Sequence, residues 1–181
     1  MDRETLAARI NDRCRLTGSF TLRSGQVSDH YFDKYLFEGD PDLLREVVAQ
    51  AVPLIPEGTE VLAGLELGGV PIATGLSLAT GLDAVFVRKA AKQYGTAKLA
   101  EGGRIAGRRV LVVEDVITTG GQVALSTGEL RNLGAVVDQV LCVIDRSNGG
   151  YDALRAVGLA VGAVFSAADL DAVAQHNDRG G

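Results

Sequence analysis

Residues 110–122 read VLVVEDVITTGGQ. Four apolar residues run without interruption into Glu114 and Asp115. Two apolar residues, two threonines and two glycines follow. A short apolar run of this kind predicts a buried parallel strand. The strand is expected over 110–114, ending at the two carboxylates, with a helical pattern from about Gln122. In open α/β sheets, ligands bind beyond the carboxyl ends of the strands. A loop of small residues that opens a helix offers bare backbone N–H groups and a positive dipole end, which suit a phosphate. The segment thus sets phosphate-binding backbone beside two acids. That pairing fits a sugar phosphate, the loop taking the phosphate and the acids taking ribose hydroxyls or a metal.

On either side, buried strands alternate with helices. Downstream, a helix is expected over 122–133, burying Val123, Leu130 and Leu133. An apolar strand follows over 136–144 and runs into Asp145, Arg146 and Ser147. A short helix at 151–157, a strand at 159–165 and a last helix capped by Ser166 or Asp169 complete the pattern. Upstream, Asp40-Pro41 is a capped helix start, and helix 41–52 buries Leu44, Val47, Val48 and Ala51. A strand at 61–65 ends among Gly64, Gly68, Gly69 and Pro71. Helix 72–80 stops at Gly81, and a strand follows at 84–87. The spacing at the N-terminus predicts a helix over 3–17 stopped by Gly18. Residues 19–37 read as two short strands broken at Ser24-Gly25. Their aromatic group Tyr31, Phe32, Tyr35 and Phe37 reads mainly as the core of a small hood. The fold class is α/β: an open, mostly parallel sheet flanked by helices, one domain over 1–181 with a small N-terminal hood.

The stretch 88–98, RKAAKQYGTAK, carries four positive charges and no acid in a chain of net charge −5. Its apolar periodicity is lost, so it reads as a functional loop or lid extending to about 106. Three strand ends, at 64–71, 114–122 and 145–147, then share one edge with this basic segment. A phosphorylated ribose bearing a diphosphate satisfies the phosphate loop, the acid pair and the basic lid together.

With 181 residues and 46% hydrophobic content, the chain suits one cored domain. It has no apolar run of spanning length and no apolar leader, so a cytoplasmic protein is expected. Cys14 and Cys142 read as reduced core thiols. The acidic balance argues against a general nucleic-acid binder. No GxxxxGK[ST] or GxGxxG motif is present. His30 and His176 lie near no nucleophile elbow, and they are left without a role.

VLVVEDVITTGGQ closely resembles the diphosphoribosyl-binding segment of the type I phosphoribosyltransferases. FTLRSG at 20–25, HYFDK at 30–34, GLELGGVPIA at 64–73, VRKAAKQYG at 87–95, LAEGG at 99–103 and IDRSNGG at 144–150 narrow the resemblance to orotate phosphoribosyltransferases. It covers about residues 19–150. The resemblance implies transfer of the 5-phosphoribosyl group from 5-phosphoribosyl 1-diphosphate (PRPP) to orotate, giving orotidine 5′-monophosphate and diphosphate. It implies catalytic roles for Lys92, Asp115 and Glu114. The implied PRPP-binding set is Arg23, Leu67, Gly68, Arg88, Lys89, Lys92, Tyr94, Glu114, Asp115, Val116, Ile117, Thr118, Thr119, Gly120, Gly121 and Gln122. The implied orotate-binding set is Tyr31, Phe32, Thr118 and Arg146. Magnesium is implied as the cofactor, bound mainly through PRPP, with Asp115 the one candidate side contact. A homodimer with shared active sites is implied, the lid reaching the neighbouring subunit, with no nucleic-acid or membrane partner.

The chain departs from the family pattern at Leu67, where some members carry a lysine, and at Tyr94, where a histidine is common. Gly121 and Gln122 stand where hydroxyl-bearing or small residues are usual. Two other readings stay open on the sequence: transfer to a different nucleobase, and a non-catalytic regulator on the same fold.

Overall fold

The computed structural model describes residues 1–22, 25–90 and 99–177, with the backbone alone for 175–177. Arg23, Lys92 and Tyr94 therefore lie outside the described residues, as does most of the predicted lid.

A six-stranded sheet carries the molecule. Its strands are β3 (Val61–Leu65), β4 (Asp83–Val87), β5 (Ala100–Glu101), β6 (Val110–Ile117), β7 (Gln139–Asp145) and β8 (Ala160–Ser166), in the spatial order β5-β4-β3-β6-β7-β8. All neighbours are parallel except β4 and β5. Every residue of β3 is buried, as are residues 110–113 of β6. Both faces are covered, which is why these segments read as continuous apolar runs. One face packs on helices α1 (Arg3–Cys14), α3 (Pro41–Ala51) and α4 (Gly69–Thr80) through Leu6, Ile10, Val47, Ile72 and Leu76. The other packs on α5 (Gly121–Asn132) and α6 (Asp152–Ala156) through Val123, Leu130 and Leu154. Helix α7 (Ala167–Asn177) starts from a reciprocal cap in which the Ser166 N–H donates to Asp169 and the Asp169 N–H to Ser166.

Several expectations are corrected. Helix α1 ends at Cys14, and Gly18 does not stop it. Residues 15–21 are instead drawn into strand β1 (Arg15–Thr21), paired antiparallel with β2 (Val27–Phe32). Gly18 sits where that pairing slips, packed so closely on the Phe20 ring that a Cβ would lie 3.1 Å from it. Residues 35–37 are not strand: they open a short helix, α2 (Tyr35–Glu38), which buries Phe37 completely. Helix α3 buries Leu43 rather than Leu44, and Leu133 at the end of α5 is exposed. Strand β6 does not stop at the carboxylates. It continues through Ile117, because Val116 and Ile117 pair with Ile144 and Asp145 of β7. No helix among the described residues is long and apolar enough to cross a membrane.

Candidate active site

From β3 the chain runs through α4 to β4 on one side. From β6 it runs through α5 to β7 on the other. The strand order therefore reverses between β3 and β6, and a crevice opens beyond Leu65 and Ile117, the position where open α/β sheets bind ligands. Two helices start there, and both have a glycine N-cap with no side-chain hydrogen bond: Gly68 for α4 and Gly120 for α5. By contrast, α1 and α3 are capped by Asp2 and Asp40. Both helix ends thus lack a side-chain cap, although the Val70 N–H of α4 donates to the Leu67 carbonyl at 3.2 Å, and such ends suit an anion.

Gly120 is in the left-handed region at φ 72°, and a Cβ there would come within 2.7 Å of Leu154. Thr118 and Thr119 are exposed beside it. Arg146 donates its backbone N–H to the Ile117 carbonyl at 2.8 Å, tying the ends of β6 and β7 together. Its guanidinium lies 5.9 Å from the centre of the Phe32 ring, and Tyr31 packs on Phe20 with ring centres 5.5 Å apart. Asp145 is no partner for Arg146. It accepts from the Ser147 N–H at 2.8 Å and from the Tyr151 hydroxyl. A cavity of about 380 Å³ opens here, with Leu22, Tyr31, Phe32 and Arg146 in its lining.

On the other side of the crevice, the loop after β3 is fastened to the end of β4. The Glu66 N–H donates to the Val87 carbonyl at 2.8 Å, and Glu66 Oε1 accepts from the Lys89 N–H at 2.5 Å. Leu67 projects into solvent. Arg88 is half-buried, and its buried Nε has no hydrogen-bond partner among the described residues. Arg88 and Lys89 share a second cavity of about 380 Å³ with Gln122 and Ser126 of α5. The structure therefore brings the described residues predicted to bind PRPP to one edge, and Tyr31, Phe32 and Arg146 to its flank.

Because both acids belong to β6, neighbouring side chains turn to opposite faces. Glu114 is half-buried. Asp115 is fully buried, directly beneath Gly68, and meets two residues that sequence reasoning missed. Lys34 Nζ, from the N-cap of α2, lies 2.5 Å from Asp115 Oδ2, while Asp115 Oδ1 accepts from the Val116 N–H at 2.5 Å. Glu38, one helical turn after Lys34, is buried on the same side.

Burial opposes charge on Asp115. Hydrogen bonding with Glu114, Glu38 and Lys34 outweighs it and holds the carboxyl below its ordinary value. Burial, reinforced by Asp115, raises Glu114 well above the usual carboxylate range and pushes Glu38 up to about 8. Burial also works against the Lys34 charge, but the pairing with Asp115 prevails and raises its pKa. The cluster therefore pairs Lys34 with Asp115 and favours the neutral forms of Glu114 and Glu38. Asp115 Oδ1 accepts from the Val116 N–H, and Oδ2 is ion-paired with Lys34 but has no hydrogen-bond partner among the described residues.

Residues 41–155 match the family model for the phosphoribosyl transferase domain. An orotate phosphoribosyltransferase from Nocardioides sp. is 61% identical over 168 residues, covering 93% of this chain and 94% of that protein. This chain belongs to the orotate phosphoribosyltransferase family. A Methanocella arvoryzae member is 43% identical over 84% of this chain and 87% of its own length. Among solved structures, the Mycobacterium tuberculosis orotate phosphoribosyltransferase bound to Fe(III) dicitrate superposes with a TM-score of 0.84 at 35% identity, covering 94% of this chain and 99% of that one. The same enzyme in complex with PRPP gives a TM-score of 0.80 at 32% identity, over 94% and 99%. The family's motif segments at 64–73, 110–122 and 144–150 are the loops that meet at the switch point. Lys34 carried a sequence signal, since it closes the HYFDK stretch and stands four residues before Glu38.

Proposed function

We infer that this crevice transfers the 5-phosphoribosyl group of PRPP to orotate, forming orotidine 5′-monophosphate and diphosphate in pyrimidine biosynthesis. The observation that carries the reading is the convergence of two uncapped, glycine-started helices on one switch point, with Glu114 and Asp115 between them. PRPP has phosphate groups at both ends of a ribose. The loop Thr118, Thr119, Gly120, Gly121 and Gln122 takes the 5′-phosphate through backbone N–H groups, with Val116 and Ile117 lining the approach. Leu67 and Gly68 present backbone to the diphosphate, joined by Arg88, Lys89 and Lys92, with Arg23 and Tyr94 contributing from the hood and the lid. Glu114 and Asp115 serve the ribose hydroxyls, Glu114 from the more open position.

Orotate lies against Phe32 and Tyr31. Its carboxylate faces Arg146, a planar donor suited to bidentate pairing, and Thr118 takes the ring edge. In the reaction a ring nitrogen of orotate forms the bond to C1 as the C1–oxygen bond breaks. The electron pair leaves with diphosphate, and the nitrogen's proton passes to solvent. The lid cations stabilise the charge that gathers on diphosphate in the transition state, with Lys92 foremost. Lid closure keeps water from the cationic ribose.

Among the described residues no three His, Cys, Asp or Glu side chains are placed to hold a metal. Magnesium is carried mainly on the diphosphate of PRPP, with Asp115 the candidate side contact. When bound it supplies further neutralisation of the leaving group. Active sites shared across a cytoplasmic homodimer complete the proposal, the lid lysine serving the neighbouring subunit.

The test is a spectrophotometric assay with PRPP, magnesium and orotate, run beside adenine, hypoxanthine and uracil. Turnover is expected with orotate; turnover of another base instead of orotate overturns the reading. For the shared site, Lys92→Ala subunits mixed with Asp115→Ala subunits should regain part of the activity. Mixed dimers without rescue would place each lid on its own subunit.

A further inference from the structure

Arg146 is the cation assigned to the orotate carboxylate, and it stands on a loop. Asp145 is the last residue of β7, in register with Ile117 and Ser166, so Arg146 is the first residue beyond the ladder. Its backbone N–H is tied to the Ile117 carbonyl at 2.8 Å, but the residue is exposed. Ordering a long side chain in such a place costs rotamer entropy, and a mobile loop raises that cost.

The chain then turns back on itself. Asn148 and Gly149 both lie in the left-handed region, at φ 51° and 81°, and the Gly150 N–H donates to the Ser147 carbonyl at 2.9 Å. The turn returns Tyr151 to Asp145. One Asp145 oxygen accepts from the Ser147 N–H at 2.8 Å, and the other accepts from the Tyr151 hydroxyl. A single carboxylate thus holds the residue after Arg146 and the far end of the loop. Burial works against charge on Asp145, but these hydrogen bonds outweigh it and keep the carboxyl below its ordinary value.

We propose that the Tyr151 hydroxyl is a positioning group for the acceptor: by fastening Asp145 to the end of the 146–150 loop, it keeps Arg146 aimed at the Phe32 side of the cavity and its guanidinium free for the acceptor's carboxylate. The inference rests on the phosphoribosyl-transfer reading and deepens it at the orotate end. Asp145 is the anion next to Arg146 in the chain. With both oxygens satisfied by the loop, it does not compete with orotate for the guanidinium. Without the hydroxyl, one oxygen is released beside a less ordered Arg146, and an internal anion then opposes the substrate's.

This device is separable from the phosphate loop. Gly120 rests on Leu154, whose Cγ would lie 2.7 Å from a Cβ there, and the Tyr151 ring packs on the same apolar core as Leu154. A phenylalanine at 151 keeps that ring in place. Removing the hydroxyl alone therefore strikes the acceptor side and spares the donor side.

The experiment is Tyr151→Phe, studied by steady-state kinetics with magnesium while orotate and PRPP are varied in turn. The orotate KM of Y151F should rise roughly tenfold, a part of what a hydrogen bond to a charged group is worth. The PRPP KM and kcat should stay within about twofold of wild type. Because Tyr151 acts through Arg146, the same change made in Arg146→Ala should alter the orotate KM by less than about twofold. A residue that merely stabilised the fold would lower Tm without this split, and its effect would persist when Arg146 is gone. An unchanged orotate KM in Y151F, equal rises for both substrates, or a rise that persists undiminished in R146A overturns the proposal. Wild type that turns over another base and not orotate would instead strike the function itself, whatever Y151F does.

Discussion

Replacing Gly68 by alanine is the sharpest test of how the crevice is built. The backbone there, φ −70° and ψ −28°, suits alanine as well as glycine, so no conformational penalty enters. Only space is at issue. The new methyl would lie 1.6 Å from Asp115 Oδ2, 2.3 Å from Asp115 Cγ and 2.8 Å from Glu38 Oε1. A carboxylate at the end of a free side chain would swing away cheaply, but Asp115 is held on both oxygens, by Val116 N–H and by Lys34 Nζ, each at 2.5 Å.

Either the aspartate moves or the loop lifts. Moving the aspartate breaks a pair whose loss costs about 3–5 kcal/mol when fully buried, and less here because Lys34 is one-third exposed. Lifting the loop carries the usual overpacking cost of about 1–3 kcal/mol. A net loss of about 2–4 kcal/mol follows, and for a chain of this size that lowers Tm by about 5–15 °C. PRPP binding should weaken as well, since the displaced residue is the mouth of α4. Differential scanning calorimetry and the KM for PRPP report the two effects. Gly128→Ala is the control: nothing lies within 4 Å of its Cβ, so it should hold or slightly raise Tm. A G68A protein that melts within a degree of wild type with unchanged PRPP KM would refute the packing of Asp115 beneath Gly68.

Gly120→Ala should lower Tm and raise the PRPP KM, because the left-handed backbone and Leu154 both oppose a methyl. Gly121→Ala, whose nearest neighbour would be 3.9 Å away, should keep the wild-type Tm, and equal melting of the two variants would argue against the strained turn. Arg146→Ala should raise the orotate KM by about two orders of magnitude, the scale of a lost charge-assisted pair, and leave the PRPP KM within a few-fold; steady-state kinetics varying each substrate separates the two, and equal rises would move Arg146 out of the acceptor site. Burial pushes the Cys14 thiol up to about 12 and Cys142 higher still, so neither should react with a thiol reagent at pH 8 until the protein is unfolded; rapid labelling of the native protein would contradict their burial.

The sheet was legible wherever burial on both faces leaves an uninterrupted apolar run. Val61–Leu65 is read to the residue, and the helix starting at Asp40-Pro41 is fixed by its own cap chemistry. Reading failed where pairing partners distant in the chain decide the outcome. Residues 15–17 continue the helical pattern of α1, but Phe32, Tyr31 and His30 draw them into a hairpin. Glu114 and Asp115 look like the end of a strand because charge follows apolar residues, yet β7 continues the ladder past them. Extending the strand changes the chemistry, because it buries one acid more deeply than the other. The two acids that read alike differ in exposure, Glu114 half-buried and Asp115 sealed beneath Gly68. Lys34 was visible as part of a motif, but its contact joins the N-cap of α2 to Asp115 on β6, and no local pattern announces it.

That contact resolves a contradiction within the opening motif. Two acids placed between two anion-binding helix ends should repel the phosphates that the helices attract. The fold removes most of that repulsion without removing the acids. Lys34 pairs with Asp115, and burial raises the pKa of Glu114 and Glu38, which favours their neutral forms. The free crevice therefore presents mainly the positive ends of α4 and α5 to an arriving polyanion, with neutral acids ready to meet hydroxyl groups. The cost is a fixed dependence on the hood. Residues 34–38 lie outside the sheet and outside the phosphate loop, but they meet the acid of the motif that is buried. A phosphate-binding sequence on a parallel strand is thus only half of this site. The other half is a short helix whose lysine pairs with Asp115 and whose glutamate is buried on the same side.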